Sequence, residues 1–270
     1  MSRARQVLAH WRHLNTALQA MGAPACPVRL TVSPDSLMSM TYFDPARRAV
    51  VVPYWEPPLV DLGLPASQMK VSPVFVLLHE QAHARLHGED GAWLSALPPG
   101  HRLYVDPVWE QVPGHPGWMT FNELFADISA AVWSLRVSRG AGGVRGLVES
   151  LARYRHVRTG QAMEKGEPHF HATSDALLDV LAQAWWGKSD VEERIRDLAL
   201  FHFDGWLAGG GRAWCDGFVE RRLLEPPVVA GLLYSPPPVF QPNPRHDQAM
   251  IHLAQAIPNH PIFRFTAMLR

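Results

Sequence analysis

The residues in this sequence that could do chemistry begin with His79-Glu80-Gln81-Ala82-His83, inside SPVFVLLHEQAHARLHG. On an α-helix, positions four apart differ by only about 40° of rotation, so both imidazoles leave one face, one turn apart, and can converge on one metal ion. Neutral imidazole nitrogen and a tetrahedral preference make zinc the natural occupant. Glu80 is rotated by about 100° from His79, which places it beside the ion rather than on it. A general base next to a Lewis acid is the pairing that water attack on an amide requires. With 14 histidines in 270 residues, chance placement yields this pattern only about 0.03 times per chain of this composition, so unrelated surface histidines are the weaker explanation.

Two imidazoles leave an ion too open, and Phe121-Asn122-Glu123-Leu124-Phe125-Ala126-Asp127 supplies what is missing. Glu123 and Asp127 are again four apart on a helical pattern. Glu123 can complete a His₂Glu ligand set, and Asp127 can accept the free N–H of a ligand histidine and so fix its tautomer, with Asn122 beside them. An ordinary acidic face is the competing explanation. Against it, these carboxylates sit among Leu124, Phe125, Ile128, Ala130, Ala131, Val132 and Trp133, and a buried carboxylate is costly unless paired or metal-bound.

Helix-borne His-Glu-x-x-His followed by Asn-Glu-x-x-x-Asp resembles the gluzincin clan of zinc metallopeptidases, the thermolysin-like enzymes. The resemblance covers about residues 28–135. It implies one zinc ion held by His79, His83 and Glu123, Glu80 as general base, Asn122 and Asp127 as supports of the ligands, and a peptide or protein substrate. The fold it implies is α+β and zincin-like, with a small mixed sheet before the motif helix and a mainly helical part after it. The metzincin pattern fails, because position 89 is Glu89 where a third histidine belongs and position 86 is Leu86 where glycine belongs. His87 continues the four-residue spacing but lies a full turn further on, as a helix-end residue.

A peptidase also needs a donor for the developing oxyanion. The stretch from Glu167 to Ser174 resembles the His-Pro-x-Thr/Ser turn of some gluzincins, with His171 at the histidine and Ala172 where proline is usual. His171 is the leading candidate, ahead of His169, with Tyr154 and His156 behind. The plainer role for Thr173 or Ser174 is capping of the following helix.

Around these residues the pattern predicts the elements that must hold them. Val7, Leu8, Trp11, Leu14, Leu18 and Met21 mark an amphipathic helix over 2–21 that ends at Gly22. Candidate strands follow at Val28–Val32, Leu37–Phe43 and Ala49–Pro53, the last two joined at Asp44-Pro45-Ala46-Arg47. Ser72-Pro73 opens the first motif helix, which stops at Gly88. A loop or lobe rich in proline and glycine spans 89–116, and the second motif helix runs from about Thr120 to Leu135. Further helices are expected near 144–157, 173–187 and 189–208, the last opening on the capping-box pattern Ser189-x-x-Glu192. Residues 225–244 hold 7 prolines and read as a strap, followed by a short helix near 246–256. No composition break marks a boundary, so one zincin-like domain is expected over 1–270, with an N-terminal helix to 22, the sheet and site helices over 23–135, a helical part over 136–224 and the strap and last helix over 225–270.

Composition closes off other classes. Hydrophobic residues at 47% can fill a core, and 25 basic residues balance 25 acidic ones, so no global charge points to nucleic acid or an anionic membrane. The basic run RYRHVR is too short for a nucleic-acid site. Cys26 and Cys215 form no Cys-x-x-Cys pair, which excludes a cysteine zinc site. No signal-peptide core is evident and no apolar run approaches the roughly 18 residues of a membrane span, so the expected location is the cytoplasm. The leading expectation is a zinc metallopeptidase. The alternative is a zinc-binding interaction module that is catalytically silent or latent, with the strap or the 89–116 lobe over its cleft.

Overall fold

The computed structural model describes residues 2–33, 41–54, 73–106, 109, 114–140, 142–166, 170–185 and 188–224. The fold is α+β: a small three-stranded mixed sheet precedes the first motif helix, and helices follow. The described chain forms two compact units. One comprises Met1–Asp90 and Asn122–Asp204, the other Gly91–Phe121 and Gly205–Arg270. All the residues of both motifs that could bind or support a metal belong to the first.

In that unit, helix α1 (Arg3–Ala20) buries Val7, Trp11, Leu14 and Leu18, the stripe its spacing calls for. It stops because Gly22 turns left-handed at φ 93°, letting the Ala23 N–H reach back to the Leu18 carbonyl at 3.0 Å. Met21, counted in the apolar stripe, instead lies past the last turn and is 42% exposed. The sheet has the order β1 (Arg29–Val32), β3 (Ala49–Val52), β2 (Tyr42–Asp44), with β1 parallel and β2 antiparallel to β3. Every residue of β3 is buried, so this central strand is covered on both faces, as its unbroken Ala-Val-Val-Val run suggests. The β2–β3 turn closes as read, with the Arg47 N–H on Asp44 Oδ1 at 3.0 Å and Arg48 at φ 45°. Of the expected second strand, residues 37–40 lie outside the described residues.

Helix α2 (Pro73–Leu86) is buried almost all round, including His79, His83 and Arg85, which is the pattern of a core helix rather than a surface one. Gln81 donates to Asn15 of α1 at 2.7 Å. Ser72, the expected cap, lies outside the described residues. Helix α4 (Pro116–Val137) carries the second motif, with Leu124, Phe125, Ile128, Val132 and Leu135 fully buried around it. Helix α5 (Gly142–Glu164) is longer than its apolar stripe, which ends at Ala152. Helix α6 (Ser174–Ala182) is shorter than expected, because Gln183 turns extended and the Trp185 indole donates back to the Val180 carbonyl at 2.9 Å.

Helix α7 (Val191–Trp206) begins two residues after Ser189, and Glu192 does not close a capping box. Its carboxylate is drawn to stronger donors, the Arg85 guanidinium and the Trp133 indole N–H at 3.0 Å. A π-helical turn (Leu207–Gly211) then leads into α8 (Arg212–Leu224).

The lobe expected at 89–116 holds a 3-10 helix (Glu89–Ala96), which enters the second unit at Gly91, and α3 (Pro99–Val105) within that unit. His115 stacks on Trp109 at 3.8 Å and accepts the Trp118 N–H at 3.1 Å, closing the open start of α4. Burial pushes its imidazole down to about 3. The strap at 225–244 and the helix near 246–256 lie outside the described residues. Among the described residues no helix is long and apolar enough to cross a membrane.

Candidate metal centre

One turn of α2 brings His79 and His83 face to edge, with ring centroids 4.5 Å apart and planes at 88°. Their Nε2 atoms point at each other across 2.9 Å. Each ring is held from behind through its other nitrogen by a residue of α4. His79 Nδ1 lies 2.9 Å from Asp127 Oδ1, and His83 Nδ1 lies 2.7 Å from Asn122 Oδ1.

Those rear contacts decide where the lone pairs are. An amide accepts at oxygen and donates at nitrogen, so His83 Nδ1 carries the proton it gives to Asn122 Oδ1, and its Nε2 is a bare acceptor. The other end of the same amide, Nδ2, donates to His87 Nε2 at 3.2 Å. His87 therefore supports His83 through Asn122 and takes no place among the facing atoms. For His79, the neighbour is a carboxylate that Arg155 keeps ionised, so Nδ1 is again the protonated side.

Asp127 is wholly buried. Arg155 of α5 grips it through Nε at 3.1 Å and a terminal nitrogen at 3.3 Å, and the Thr173 hydroxyl donates to it at 2.6 Å. Burial alone would raise its pKa; the Arg155 charge and His79 overcome that and hold it far below the carboxylate range.

Glu123 joins the facing pair, with its oxygens 3.4 Å from His79 Nε2 and 3.7 Å from His83 Nε2. Burial works against its charge, and His171 and the two α2 imidazoles outweigh burial, leaving the carboxyl well below its usual range. Burial likewise disfavours a charged His79, but Asp127 and Glu123 lift it well above the ordinary imidazole value. His83 moves the other way, depressed by burial and by the charge on His79. Two imidazole nitrogens and a carboxylate thus face one another as three acceptors, and a cation between them would reconcile them.

A metal ion meets that need as well as a proton does. Tetrahedral ligands at about 2.0–2.1 Å from an ion are about 3.3–3.4 Å apart; the two Nε2 atoms lie 2.9 Å apart, and Glu123 offers Oε2 at 3.4 Å from His79 and Oε1 at 3.7 Å from His83. Glu80 is also near: potential ligand atoms of His79, Glu80 and His83 all lie within 4.8 Å of one another, a group that could hold a metal ion. Its Oε2, however, accepts the backbone N–H of Phe43 at 2.8 Å.

His171, expected as the donor to an oxyanion, comes with its Nδ1 2.8 Å from Glu123 Oε2, its side chain 36% exposed. Tyr154 and His156 are exposed on α5, while Arg155 between them turns to Asp127. His169 lies outside the described residues. Thr173 is the residue before α6, yet its hydroxyl goes to Asp127 instead of capping that helix. Arg155, Thr173 and the Phe43 N–H are the contributors that sequence reasoning missed. The one available signal was that a buried Asp127 demands a cation, and no spacing rule says which arginine provides it.

No protein-family model, no curated protein and no solved structure matches the chain, so its likeness to the gluzincins rests on the residues of the two helix motifs.

Proposed function

We propose that the chain is a zinc-dependent peptidase of gluzincin type, in which His79, His83 and Glu123 hold the ion and Glu80 is the general base. The observation that carries this is the pair of Nε2 atoms facing each other at 2.9 Å, each ring braced from behind so that its lone pair is turned inward. Borderline-soft imidazole nitrogens with a single carboxylate favour zinc over calcium or magnesium, which prefer all-oxygen sites. Glu123 rather than Glu80 is the third ligand in this reading, since Glu123 approaches both nitrogens while Glu80 is engaged by the sheet.

A zinc ion in such a site supplies Lewis acidity, lowering the pKa of a water and polarising a carbonyl. The protein's own groups supply the rest. Glu80 takes the proton of the attacking water and returns it to the leaving amine. Asp127 and Asn122 keep the two imidazoles in the tautomer that presents Nε2. His171, partly exposed with its Nδ1 toward Glu123, is in this reading the donor to the carbonyl oxygen through its other ring nitrogen. An interaction module needs only the ligands, and the presence of a carboxylate poised next to them favours an enzyme.

The test is turnover of a peptide library by wild type, Glu80→Gln and chelator-treated protein. Cleavage by wild type alone is expected, with Glu80→Gln reduced by about a hundredfold or more. Equal cleavage by Glu80→Gln would refute the assignment of the base, and no cleavage by zinc-loaded wild type would leave the silent module as the better account.

A further inference from the structure

Two carboxylates stand close enough to the facing imidazoles to bind an ion, and only a carboxylate kept off the ion can act as a base. Glu80 is the ambiguous one. Its ligand atom lies within 4.8 Å of those of both His79 and His83, and its side chain has three rotatable bonds with which to close that gap.

Strand β2 stands in the way. Among the described residues it lies at the edge of the sheet, bonded to β3 on one side only. In an antiparallel pair, alternate residues turn their N–H and C=O away from the partner strand. Phe43, opposite Val50, is such a residue: its N–H leaves the ladder and donates to Glu80 Oε2 at 2.8 Å. Pairing through Tyr42 and Asp44 fixes the strand on either side of it, and the Phe43 ring lies 5.1 Å from that of His87 near the end of α2. The donor is backbone, so its position is set by the sheet and not by a rotamer.

We propose that the Phe43 N–H is the device that holds Glu80 as a base, by tethering its Oε2 to the strand and so keeping the side chain from swinging onto the metal. Phe43 is a positioning residue here, acting through Glu80. The assignment rests on the zinc-site reading above. It predicts that a chain lacking this single N–H gains a ligand at the ion, while loss of the phenyl ring alone changes nothing there.

Proline removes the N–H and is tolerated on an edge strand whose N–H points out of the ladder. The experiment uses the full chain loaded with Co²⁺, whose visible absorption reports coordination number. Phe43→Pro is expected to weaken the absorption relative to wild type, as an added carboxylate does. Phe43→Ala, which keeps the N–H, is expected to match wild type, and Phe43→Pro with Glu80→Ala is expected to match Glu80→Ala alone. An unchanged spectrum in Phe43→Pro would overturn this proposal and leave the metal site standing. Failure of wild type to bind Co²⁺ would overturn the metal site, and this proposal with it. Should Phe43→Pro not fold, amide exchange at Phe43 in metal-loaded wild type and Glu80→Ala decides the matter. Exchange about tenfold slower in wild type is expected, and equal rates would overturn the proposal.

Discussion

Replacing Arg155 by methionine removes the guanidinium from a carboxylate that has no solvent to turn to. Asp127 is 0% exposed and the Arg155 side chain 13% exposed, with nitrogen–oxygen distances of 3.1 and 3.3 Å. At an effective dielectric of about 20, two charges at that separation attract by about 5 kcal/mol. Part of that is offset by the cost of desolvating both groups, and breaking one side of a buried pair typically costs about 3–5 kcal/mol. The Thr173 hydroxyl and His79 still face Asp127 in the variant and soften the loss. The expected destabilisation is therefore near the lower end, about 3 kcal/mol, read as a shift in the urea midpoint of metal-free protein. Asp127→Asn and the double variant complete a cycle, with an expected coupling of about 2 kcal/mol. Single-variant losses that add to within about 0.5 kcal/mol would mean that Arg155 and Asp127 are neighbours without being partners, and the reasoning on the brace behind His79 would fail.

Three other outcomes are expected. His115 has its pKa lowered to about 3 by burial, so the stability tied to its neutral form is complete above about 6.5 and is lost as pH falls toward 3. Between pH 7.5 and pH 5 that is about 2 kcal/mol, and urea titrations of His115→Asn should show acid sensitivity smaller by this amount, since asparagine can still accept the Trp118 N–H. Gly117→Ala should cost about 2 kcal/mol in thermal or urea unfolding, because a Cβ there would meet the Tyr104 carbonyl oxygen at 2.9 Å and Cys215 Sγ at 3.1 Å. Zinc affinity, measured by competition with a chromogenic chelator, should rise with pH by about tenfold per unit while His79 holds its proton in the metal-free protein, since the ion must displace that proton.

The chemistry-bearing part of this protein was legible in its sequence because helix periodicity is a local rule. A spacing of four places His79 with His83, and Glu123 with Asp127, on common faces whatever the rest of the chain does, and the structure brings those faces together. The run Ala49-Val50-Val51-Val52 read as a strand for a similar local reason, while the burial of all four residues came only with the structure. Contributions that depend on the fold were not legible. Arg155 could not be told from Arg153 or Arg158 of the same run, because only the packing of α5 against the site selects the one that reaches Asp127. Glu192 looked like half of a capping box, and an arginine 107 positions away with an indole N–H claims it instead. The Phe43 N–H has no side-chain signature at all, since any residue but proline carries one.

Elemental analysis asks whether His79, His83 and Glu123 together hold one zinc ion. Wild-type protein purified without chelators should carry one zinc per chain, and Glu123→Ala should lose most of it under the same dialysis. Wild type without zinc, or Glu123→Ala retaining a full equivalent, would rule out a zinc site built on these three residues.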